Sequence, residues 1–192
     1  MNELHSHMKE GAAEAARVAR GVSAEQLSGA TPCKEFDVRT LVNHWVLYTS
    51  HGLECRAQRR DIPEELTERD FAGEEGFAEA YAAQLDQALA AWAEPAAWEG
   101  EIGIAGMEMA APEVAKLILK EMTVHGWDVA AATGQEFRVS DALGELILSV
   151  VEEHAPVYRQ YDGFAEPVPV AGSATAFERA LALSGRDPGW TP

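Results

Sequence analysis

Apolar side chains recur at helical spacing through most of this chain, and that period predicts its elements. Leu4, Met8, Ala12, Ala15 and Val18 form one stripe, predicting a first helix from about Glu3 to Arg20. A second helix, capped by Asp37 and running to about Arg60, turns Val38, Leu41, Val42, Trp45, Val46 and Leu53 inward; Arg39, Asn43, Ser50 and Glu54 make its wet side. Phe77, Tyr81, Leu85, Ala88, Leu89 and Trp92 stripe a third, about Glu74 to Ala93, which Pro95 stops. From Trp98 to Met109 the period breaks around Gly103 and Gly106, predicting an extended crossover or a small hairpin. A fourth helix opens at Ala111-Pro112 and ends at Gly134. A fifth begins near Asp141, carries Leu143, Leu146, Ile147, Val150 and Val151, and fades around Pro156; a short helix spans Thr175 to Leu183. The sum is an all-α bundle with one longer connection. It should occupy residues 1–163, with 164–192 as a C-terminal extension packing on it.

Composition narrows the function classes more than the fold. With 47% hydrophobic and 24% charged residues the 192-residue chain reads as globular. Fifteen basic against 32 acidic residues give a net charge of −17, which argues against nucleic acid and against anionic membrane surfaces. No apolar run approaches the ~20 residues of a membrane span, and the first ten residues lack the order of a secretion signal, so a cytoplasmic protein is expected. Cys33 and Cys55 form no CxxC and suit neither a disulfide scaffold nor a thiolate zinc site.

The chemistry concentrates on the fourth helix. Val114, Leu117, Ile118, Met122 and Val129 share one face, and Glu113, Lys116, Lys120 and Thr123 the other. Glu121, His125 and Asp128 fall within the apolar face, where ionisable groups are costly without a partner. Glu121 and His125, at i and i+4, suit a divalent cation, and equally a buried ion pair. Catalytic sites usually take three protein ligands, so a third should come from another helix. His5 and His7 lie in the first turns and are expected in solvent. His44 and His51, seven residues apart on the second helix, and His154 on the fifth helix's apolar face remain as candidates, and spacing does not choose among them. Asp128, one turn beyond His125, is placed to orient a ligand imidazole or to pair with an Arg elsewhere.

Thr31-Pro32-Cys33-Lys34-Glu35-Phe36-Asp37-Val38-Arg39 followed by Leu41-Val42-Asn43-His44 resembles the opening motif of the DinB-like, mycothiol-dependent maleylpyruvate isomerase N-terminal domain family. Glu121-x-x-x-His125-Gly126-Trp127-Asp128-Val129-Ala130-x-x-Thr133-Gly134 resembles its second signature. Phe177-Glu178-Arg179 through Gly185-Arg186-Asp187-Pro188-Gly189-Trp190 resembles the close of an uncharacterised branch described as metal-binding. The resemblance implies a DinB-like four-helix bundle holding a divalent metal on His44, Glu121 and His125; by ligand chemistry the expected ion is zinc, with nickel the alternative. It is the resemblance that selects His44. Phe36 stands where relatives often carry Trp. The isomerases have an additional C-terminal domain, whereas only about 30 residues follow the fifth helix here, too few for an independent domain.

The expected activity is therefore a metal-dependent, thiol-using transferase or isomerase-like reaction, in which a metal-activated thiolate attacks a small electrophile, with mycothiol the thiol that the resemblance implies. The alternatives are a metal-dependent hydrolase, a non-catalytic metal or small-ligand binding bundle, and a core ion pair without metal. His51 and Trp45 are expected as pocket walls, with His154 reaching in from the fifth helix, in a monomer or homodimer.

Overall fold

The computed structural model describes residues 2–34, 36–104 and 106–192; Met1, the motif residue Glu35 and Ala105 of the crossover lie outside the described residues. The elements run α1 (Glu3–Arg20), α2 (Val38–Val46), α3 (Gly52–Ala57), α4 (Glu64–Thr67), α5 (Phe77–Ala93), β1 (Glu101–Ile104), β2 (Met107–Ala110), α6 (Ala111–Ala132), α7 (Asp141–Gln160) and α8 (Ala176–Leu183). The fold is mostly helical, and the crossover is an antiparallel hairpin pairing Ile102 with Met109 and Gly103 with Glu108. Among the described residues no helix is long and apolar enough to cross a membrane.

Local chemistry sets the helix starts. The Asp37 carboxylate accepts from the Thr40 amide at 2.8 Å, Ser140 accepts from Leu143, and Thr175 and Glu178 cap α8 reciprocally. Helix α1 packs against α5 and α6, α2 against α6, and α3 against α5, so these elements enclose one core. Trp45, Tyr81, Trp92, Leu85, Leu119 and Met122 fill it at essentially zero exposure. Burying such side chains contributes about 1.5–3 kcal/mol each. Helix α7 lies against α6 and carries α8.

Three elements depart from the sequence expectation. Between α2 and α3 the chain makes a π-helical turn, Leu47–His51, which slips the register by one residue, a rotation of about 100°. Ser50, expected in solvent, is therefore fully buried and donates to the Val46 carbonyl at 2.7 Å. Helix α7 does not fade at Pro156 but continues to Gln160. Pro156 removes one backbone hydrogen bond, while Val151 and Ala155 ahead of it are fully buried and hold the helix on the core. Helix α6 has no solvent face at Lys120 and Thr123, 1% and 0% exposed, because α1, Tyr158 at the end of α7 and Phe164 beyond it cover what the sequence marks as its polar side. His5 is likewise buried, its Nε2 3.0 Å from the Leu89 carbonyl.

Candidate metal centre

His44 sits in the last turn of α2, and Glu121 and His125 lie one turn apart on α6. Helix α2 packs directly on α6, fixed by Trp45, whose indole N–H donates to the Met122 carbonyl at 2.9 Å. Gly126 permits that approach: a Cβ there would stand 2.6 Å from the Phe137 ring and 3.2 Å from Trp45. The two helices thereby bring Glu121 Oε2 to 3.1 Å from His125 Nε2 and 3.8 Å from His44 Nε2. The imidazole centroids are 5.0 Å apart.

Among the described residues these three form the one cluster whose donor atoms all lie within 4.8 Å of one another. Donors sharing one ion at about 2.1 Å stand roughly 3.4 Å apart in a tetrahedral site. Side-chain shifts of about an ångström would close this set on an ion, so two imidazole nitrogens and a carboxylate oxygen fit zinc or another borderline divalent metal. The cluster is not sealed: the side chains of His44, Glu121 and His125 keep 30%, 24% and 12% of their surface open, which leaves room for a further ligand.

A ring of charges holds the donors. Asp128, fully buried, takes His125 Nδ1 at 2.9 Å and accepts the Arg186 guanidinium at 2.8 and 2.9 Å. It thus contacts both an imidazole and an arginine. Lys120 pairs with Glu121 through Oε1, leaving Oε2 to the imidazoles. The lysine nitrogen lies 4.0 Å over the Tyr158 ring, which stacks on Phe164 at 4.6 Å. Burial pushes the Glu121 carboxyl up, but Lys120, His125 and His44 outweigh it and hold the group well below the usual carboxylate range. Burial likewise raises Asp128 while Arg186 and His125 bring it below its ordinary value. For His125 burial lowers the pKa, yet Asp128 and Glu121 raise it overall. The same negative field would favour a divalent cation, which must displace the His125 proton to take its ring nitrogen.

The other expected residues go elsewhere. The π turn separates His51 from His44, and His51 stacks on Phe71 with centroids 5.4 Å apart. Trp45 is a core anchor rather than a pocket wall. His154 lines neither cavity at the triad. One of those cavities, about 240 Å3, is bounded by Cys33, Phe36, Lys120, Tyr158, Phe164 and Arg186 beside the triad. The other, about 350 Å3, shares His44, Glu121 and Tyr158 with it. A larger groove of about 570 Å3 between α1 and α5 has no residue in common with either.

Lys120, Tyr158 and Phe164 carry no role in the sequence reading, and Arg186 enters it only as part of the tail motif. Lys120 follows the polar period of α6, and the other three lie in segments without period. The available signal was Asp128 itself, a buried carboxylate that required a cation.

The sequence model of the mycothiol maleylpyruvate isomerase N-terminal domain matches residues 8–130, well over half of the chain. The chain belongs to that family. Its membership places it in the DinB-like superfamily, and His44, Glu121 and His125 all lie inside the matched region. Tyr158, Phe164 and Arg186 lie outside it. No curated protein and no solved structure matches the chain.

Proposed function

We propose that this family member is a cytoplasmic, metal-dependent, thiol-using enzyme whose ion is held by His44, Glu121 and His125. The observation that carries the reading is a two-imidazole, one-carboxylate cluster, partly open, at the junction of two cavities. In this reading α1, α2–α3, α5 and α6 are the DinB-type four-helix bundle within residues 1–163, and residues 164–192 are an extension docked on it. A bound divalent ion would lower the pKa of a low-molecular-weight thiol, mycothiol by family, so that its thiolate reacts with a small electrophile.

The chain's own residues prepare that site. Lys120 neutralises Glu121 and engages Oε1, so the carboxylate presents one oxygen. Asp128 holds Nδ1 of His125, which directs Nε2 toward Glu121 and His44. Arg186 keeps Asp128 ionised and in place. Tyr158 and Phe164 cover the Lys120 ammonium.

One observation favours a second reading, a bundle that carries a closed chain of ion pairs or binds metal without turnover: each site carboxylate already has its own cation, Lys120 for Glu121 and Arg186 for Asp128. Elemental analysis of protein prepared without a His-tag, followed by mixing the metal-loaded protein with a thiol and a panel of electrophiles, separates the two. About one ion per chain and thiol consumption support the enzyme. Metal without consumption supports the binding bundle, and absence of metal leaves the ion pairs.

A further inference from the structure

The larger cavity at the triad differs in lining from its neighbour. It runs from His44 and Glu121 along Ile62, Ile104, Leu117 and Ile118 to Arg56. Hydrocarbon lines most of this path, and its positive charge comes from Arg56 in α3. The Arg56 side chain is 19% exposed, and its ionic partner, Asp61, is fully exposed at 3.6 Å. Among the described residues the Arg56 guanidinium makes no other ion pair and no hydrogen bond. A pair of that length whose acid stands fully in solvent contributes little, so the planar donor fork of Arg56 remains available to a carboxylate.

Twelve residues separate His44 from Arg56 along α2, the π turn and α3, and both side chains line the same cavity. A cavity of about 350 Å3 suits a small, elongated molecule. We infer that this compartment receives an elongated apolar carboxylate, its hydrocarbon body against Ile104, Leu117 and Ile118 and its carboxylate on Arg56. The neighbouring cavity, which Lys120 and Arg186 line, is left for the other reactant. Naming this ligand as the electrophile rests on the metal-dependent reading above; its binding to Arg56 does not.

Isothermal titration calorimetry with 4-phenylbutyrate and its neutral amide tests the inference, on protein as purified and after chelation. The carboxylate should bind about tenfold more tightly than the amide, a charge-assisted bidentate preference. Arg56→Gln should bring the two within about twofold while metal content and melting temperature stay unchanged. Ile104→Ser should weaken both ligands alike. The carboxylate preference and its dependence on Arg56 should survive chelation. Equal affinity for the two ligands in the unaltered protein overturns the inference, as does a preference that persists in Arg56→Gln. A preference lost on chelation but indifferent to Arg56→Gln also overturns it, by moving the carboxylate to the metal, and leaves the metal reading intact. Protein that holds no metal yet keeps the Arg56-dependent preference does the reverse.

Discussion

Residues 8–130 bring two imidazoles and a carboxylate to the site, whereas the chain beyond residue 130 brings two stacked rings and a guanidinium. The first group comes from helices that pack directly on each other, so its geometry is set by the α2–α6 contact. The second comes from the end of α7 and the segments around α8, and it manages charge. Without it Asp128 would be a buried carboxylate facing only an imidazole, and Lys120 a cation without its aromatic cover. Gly185 shows how the late segment reaches inward: at φ +86° it turns the chain against Ala165, where a Cβ would stand 2.6 Å away, and Arg186 follows directly beneath. The region matched to the family supplies donors, and the region outside it makes their burial tolerable.

Arg186→Met is the largest blow to that division. It leaves Asp128 unpaired in the core and should cost about 3–5 kcal/mol in urea unfolding; a loss below about 1 kcal/mol would mean that the late segment is not what neutralises Asp128. Glu121→Gln acts on the other half. Metal affinity, read by chelator competition, should fall by more than the roughly 10–100-fold typical of changes around a ligand. Retained metal with a large stability loss would make Glu121 a structural partner of Lys120 and would favour the ion-pair reading.

Asp128→Asn sits on the boundary between the two regions. It keeps an acceptor for His125 but loses the charge facing Arg186, so metal binding should weaken about 10–100-fold without vanishing. Complete loss of metal would make Asp128 a ligand rather than an orienting group. The smallest effect is expected at His51, away from the site. Burial, with Arg69 adding to it, depresses its pKa below the ordinary value. The folded state therefore favours the neutral ring: its contribution to stability is present above the unfolded pKa near 6.5 and is lost as pH falls through the lower folded value. Relative to the unaltered protein, His51→Phe should flatten the acid-side decline in melting temperature between about pH 7 and pH 5. An unchanged decline would show that the imidazole pays no burial penalty against Phe71.

The main helices, the cap at Asp37, and the placement of Glu121, His125 and Asp128 on one face of α6 were legible in the sequence, because hydrophobic period and capping chemistry are local. Spacing alone left His44, His51 and His154 level, and the family motifs decided among them. What separates His44 from His51 physically is a π turn, a register slip that a 3.6-residue period does not reveal. The burial of Lys120 and the pairing of Asp128 with Arg186, 58 residues away, were decided by tertiary structure alone. A charge on a helix face looks solvated until another segment covers it, and a buried charge announces only that it needs a partner, never which part of the chain will supply one.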